Sequence, residues 1–147
     1  MSNKPPRIYI SALDLSEFER LKDPSWRMDV QAGNLLGRLA DMGYDIIWHK
    51  QWLGYDVIET DIAASDALVA VVDENWTGST WMLIELYYAN GTCRSGMTSN
   101  PLMAPIPVFI YPVVPDLHRN LLSLEGPQIL PRDVDEATKQ IRGVLPV

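Results

Sequence analysis

Two kinds of apolar pattern alternate along this chain. Residues Arg7 to Ser11 (RIYIS) form a short β-branched and aromatic run after Pro5-Pro6. They predict a first strand, placed in the sheet interior because little in it is polar. From Trp26 to Met42 the apolar residues Met28, Leu35, Leu36, Leu39 and Met42 recur near helical spacing. Gly43 follows, where a C-terminal glycine cap is expected. Tyr44 to Lys50 (YDIIWHK) predicts a second strand. A loop to about Tyr55 precedes a short helix over Asp56 to Ala64. Ala67 to Asp73 (ALVAVVD) is the clearest strand, a continuous apolar run suited to a parallel strand covered on both faces. Ser79, after the loop ENWTGS, is a good N-cap for a helix ending near Asn90-Gly91. Residues 92–105 are polar and irregular, which predicts a loop. Ile106 to Val113 (IPVFIYPV) predicts a fourth strand, and its prolines place it toward an edge. Between Arg132 and Val144 a last helix is expected, with Asp133, Asp135 and Glu136 acidic in its first turn.

Strands alternating with helices imply a parallel sheet wrapped on both faces. The predicted fold class is α/β: a doubly wound, flavodoxin-like parallel sheet of four to five strands with helices on both faces, one domain over residues 1–147. Such sheets bind ligands outside the carboxyl ends of their strands. Here those ends are Ser11-Ala12, Trp48-His49, Asp73 to Asn75, and Tyr111. The start of the Ser79 helix lies beside them.

That helix contains the sharpest chemical signal in the chain. In Trp81 to Ala89 (WMLIELYYA), Glu85 is the single charge. An ionised carboxylate taken out of water unpaired is very costly. Trp81 and Glu85, four apart, share a helix face. A flat apolar wall beside a carboxylate suits a planar, partly cationic ring, and desolvation there raises the carboxyl pKa. Two readings stay open: Glu85 serves chemistry, or it pairs with a loop backbone or an arginine in a structural role.

Composition narrows the partners. The 147 residues carry a formal charge of −7, which repels phosphate backbones, so no nucleic-acid partner is expected. Cys93 is the single cysteine, and His49 and His118 are the two histidines, so neither a disulfide nor a zinc site is expected. The N-terminus lacks the apolar core of a signal peptide, and no run approaches the roughly 20 apolar residues that span a bilayer. The expectation is a cytoplasmic protein with no membrane partner.

The stretch Ser65 to Ala89 (SDALVAVVDENWTGSTWMLIELYYA) resembles the central segment of TIR domains, the Toll/interleukin receptor type. There a hydrophobic strand is followed by a loop, then Ser-x-Trp, three residues, and Glu-Leu. The matching positions are Ser79, Trp81, Glu85 and Leu86. The first strand, RIYISALD, is similar to that family's FISY stretch. Met82 stands where many TIR domains have cysteine, and Asp73 where serine is common. IYIS, SDALVAVVD and ELYYA also resemble nucleoside 2-deoxyribosyltransferases, although their Gly-Thr-x-x-Glu pattern is not matched: Thr80 lies five residues before Glu85.

Both resemblances imply cleavage of an N-glycosidic bond by a helix-borne glutamate. The substrate would be NAD or a nucleoside, with no cofactor and no metal. A non-catalytic interaction or nucleotide-sensing module is the other implied possibility. On the enzymatic reading Glu85 is catalytic and Trp81 walls the site, with Ser79 at the helix mouth. Ser11 and Ala12 supply backbone contacts, Asp73 or Asn75 holds ribose hydroxyls, and Trp48 flanks the base. A lone aromatic such as Trp48 is more often core than site. The resemblance also implies a homo-oligomer.

Overall fold

In a computed structural model, β1 (Arg7–Ser11), β2 (Asp45–Ile47), β3 (Ala67–Val72), β4 (Val108–Pro112) and β5 (Gln128–Ile129) pair into one sheet, in the order β2-β1-β3-β4-β5. The structure describes residues 4–12, 35–48, 54–72, 85–86, 88–90, 106–112 and 126–147. Every neighbouring pair of strands is parallel. The order is that of the flavodoxin-like doubly wound sheet, with its switch point between β1 and β3.

Strand alternation sorts the side chains onto two faces. Ile8 and Ile10 of β1, Val69 and Val71 of β3, and Phe109 and Tyr111 of β4 face one core. Helix α1, described over 35–41, and the C-terminal helix cover it through Leu35, Leu39, Ala137 and Ile141. Tyr9, Leu68, Ala70, Val72, Val108 and Ile110 face the other. Helix α2 (Tyr55–Ala63) covers that side through Ile58 and Ile62, and α3, helical at 85–86 and 88–89, through Leu86, Tyr88 and Ala89. All six residues of β3 are buried, as its unbroken apolar run predicts.

Helix ends follow local chemistry. After α1, the Gly43 N–H donates to the Ala40 carbonyl at 3.0 Å and the Tyr44 N–H to the Leu39 carbonyl at 3.1 Å. This is a Schellman closure, and it needs the positive φ of 105° that Gly43 adopts. Helix α4 (Val134–Val144) is capped by Asp133, whose carboxylate accepts from the Glu136 N–H at 3.0 Å.

One expectation is corrected. β4 lies between β3 and β5, not at an edge. Its prolines are harmless there because Pro107 precedes the strand and Pro112 is its last residue. The edge position belongs to β5, whose two residues form no run that periodicity can read. Elsewhere the differences are at boundaries. β2 is shorter than Tyr44 to Lys50, and α2 starts and ends one residue before the expected Asp56 to Ala64. Residues 26–34 of the expected first helix lie outside the described residues.

Candidate functional site

β1 is held between β2 and β3, with Tyr9 opposite Ile47 and Leu68, and Ser11 opposite Ala70. Tyr9 and Ser11 are two apart, so their side chains leave the same face of the sheet. That is the face on which α3 lies, and Glu85 projects into the space between. The Tyr9 and Ser11 side chains both hydrogen-bond the Glu85 carboxyl. All three are buried, with Ser11 0%, Tyr9 1% and Glu85 3% exposed. Ser11 is the last residue of β1. The carboxyl is therefore anchored beside the carboxyl edge of the sheet, next to the switch point where doubly wound folds bind ligands.

Burial dominates the electrostatics. It pushes the Glu85 carboxyl up to about 7, against the opposing pull of the hydrogen bonds from Tyr9 and Ser11. Burial also pushes the Tyr9 hydroxyl far above the usual tyrosine range, helped by the charge of Glu85, their hydrogen bond and the charge of Asp61 on α2. Tyr9 thus keeps its proton and donates it, while Glu85 changes charge near neutrality. On the same side, Tyr88 of α3 is raised by burial and by Glu59 of α2.

The structure divides the residues expected in the site. Glu85 and Ser11 meet. Ser11 contributes its hydroxyl to Glu85, a side-chain role beside the backbone contact expected of it. Ala12 and Trp48 follow the carboxyl ends of β1 and β2, but their side chains pack into the opposite core, with Ile10 and Leu39. The Trp48 indole Nε1 is buried without a hydrogen-bond partner among the described residues. Asp73, Asn75, Ser79 and Trp81 lie outside the described residues. Tyr9 was missed by the sequence reading. Its signal was available: a tyrosine inside a buried strand needs a partner for its hydroxyl, and it shares a face with Ser11.

Among the described residues no group of three or more His, Cys, Asp and Glu side chains is placed to hold a metal. None of the helices described is long and apolar enough to cross a membrane. No protein-family model matches the chain, and no curated protein matches it significantly in sequence.

What the arrangement can do chemically is narrow. Among the described residues one carboxylate stands here, shielded from water and held by two neutral donors, an arrangement able to face developing positive charge. Its pKa near neutrality lets it ionise at working pH while remaining basic enough to attack or to accept a proton.

Proposed function

We propose that this protein is an N-glycosidase that cleaves the nicotinamide–ribose bond of NAD or a related nucleotide, with Glu85 as its catalytic residue. One observation carries the reading: a buried carboxyl on α3, held by Tyr9 and by Ser11, the last residue of β1, with burial pushing it up to about 7. Its resemblance to Trp-x-x-x-Glu enzymes names the bond.

As the C–N bond breaks, its electron pair moves to the pyridinium nitrogen and cancels the ring's charge. Positive charge develops on the ribose, at the anomeric carbon and ring oxygen. The Glu85 carboxylate stabilises that charge, or bonds to the anomeric carbon to give a glycosyl ester that water then hydrolyses. A pyridinium leaves as a neutral base without being protonated, so one carboxylate suffices for departure. A neutral nucleobase leaves more easily when protonated. This is the demand that nucleoside 2-deoxyribosyl transfer or nucleoside hydrolysis would add to the same site.

The deciding experiment is incubation with NAD and, separately, with a panel of ribo- and deoxyribonucleosides, followed by chromatography of the released base. Nicotinamide from NAD supports the proposal. Base released only from nucleosides moves the substrate class to the transferase or hydrolase alternative. No base from any of them removes the enzymatic reading and leaves a nucleotide-sensing or interaction module.

A further inference from the structure

We infer that Ser11 is a positioning residue for Glu85: its hydroxyl fixes the carboxylate oxygen nearest the carboxyl edge of the sheet, and its side chain does not touch substrate. For the reaction it affects, this rests on the N-glycosidase reading. For the state of Glu85 it stands alone.

Three observations support it. First, the Ser11 side chain hydrogen-bonds Glu85, and with 0% and 3% exposure neither residue can readily exchange that bond for water. Second, the two donors are not equivalent in place. Tyr9 and Ser11 sit about 7 Å apart along the strand, and Ser11 is the residue at the carboxyl end. The Ser11 bond therefore acts nearer to where a ligand would lie. Third, Ser11 is hard to displace. Its backbone is registered against Ala70 in an interior strand, and the side chain has one heavy-atom rotor. Tyr9, by contrast, reaches Glu85 through a long side chain that also lies in the field of Asp61.

The bond has an electrostatic consequence. A donor to the carboxylate favours its charged form, opposing the burial that disfavours it. The groups facing this carboxyl among the described residues are Tyr9 and Ser11 of β1. On α2, Asp61 acts on Tyr9 and Glu59 acts on Tyr88 of α3. Among the described residues, the two hydroxyls are the groups whose hydrogen bonds favour the charged form of Glu85.

The test is a carbon-13 titration of Glu85 in protein labelled at glutamate side chains, assigned through Glu85→Gln. Wild type is compared with Ser11→Ala, Ser11→Cys and the control Thr138→Ala. Thr138 carries another buried hydroxyl, in contact with the Asp135 carbonyl at 2.9 Å on helix α4. In Ser11→Ala the Glu85 midpoint should rise by about one pH unit, a tenfold change in the proton affinity of the site. Ser11→Cys, a weaker donor of similar shape, should fall between, and it decides the matter if the alanine variant does not fold. Thr138→Ala should leave the midpoint where it is. In the base-release assay the acid limb of kcat/KM should move with the midpoint, with KM little changed. An unmoved midpoint in both Ser11 variants, or a rise in KM with an unmoved acid limb, overturns the inference. A wild-type protein that releases no base sinks the glycosidase reading, while the titration still decides what Ser11 does.

Discussion

The two faces of the sheet use the same residue type to different ends. On the α1/α4 face, Tyr111 donates to the Arg132 carbonyl at 2.7 Å and Tyr44 donates to the Leu145 carbonyl. Both acceptors are backbone groups that never titrate, so these hydroxyls only satisfy buried polar atoms and tie loop and C-terminal segments to the core. On the α2/α3 face, Tyr9 shares a titratable acceptor, Glu85, with Ser11. The hydrogen-bonding logic is the same, but here the acceptor can change charge. A buried hydroxyl thus ties down backbone or acts on a neighbour's charge state according to what it donates to, and burial alone does not distinguish the two.

The widest gap between the faces should appear on replacing Glu85. Glu85→Gln keeps the shape and removes the charge. Base release should fall by at least about 100- to 1,000-fold, the scale of a lost preorganised electrostatic group. Stability at pH 8 should hold or rise, because a desolvated charge has gone. Full activity in this variant would return Glu85 to a structural role like that of the Tyr111 acceptor.

Leu39→Ala attacks the other face. Leu39 is 0% exposed in the α1/α4 core, and truncation should cost about 2–5 kcal/mol by urea unfolding. The Glu85 titration should not move, since the sheet separates the two. A shifted midpoint would show that the faces are coupled.

pH dependence comes next. The Glu85 carboxyl rises from 4.5 unfolded to about 7 folded. Between those values the folded state holds a proton that the unfolded chain has released. The stabilisation is therefore complete below about pH 4.5, declines as pH rises, and is lost above about 7. At about 1.4 kcal/mol per unit the span is on the order of 3 kcal/mol. Glu85→Gln should flatten this slope. An equal slope in the two proteins would assign the effect elsewhere.

A smaller contrast is the pair of tyrosine-to-phenylalanine changes. Tyr111→Phe should cost about 1 kcal/mol with no change in pH profile. Tyr9→Phe should raise the Glu85 midpoint, having removed one of its donors. Smallest of all is the ion pair of Arg38 on α1 with Asp135 on α4, both side chains at least half exposed. Arg38→Ala should change stability by about 0–1 kcal/mol, less at high salt, and leave Glu85 untouched.

What the sequence settled by itself is local and periodic. The unbroken run in β3, the glycine after α1 and the acidic start of α4 each carry their own physical cause within a few residues. The alternation of strands and helices then limits the architecture to a parallel doubly wound sheet. It also singled out Glu85, since one charge in an apolar helix demands an explanation. Only the tertiary structure decided the rest. That β4 is interior depends on β5, a two-residue strand recruited by pairing rather than by propensity. The partners of Glu85 come from β1, more than 70 positions away in the sequence. They are brought there by right-handed crossovers that lay α3 over the Tyr9 and Ser11 side of the sheet. Trp48, as plausible a site residue as Ser11 by position, faces the opposite core because strand parity puts residues 46 and 48 on the other side. Local sequence fixes which residues form an element. Which side chains meet across elements depends on register and face, and those are settled only when the whole sheet assembles.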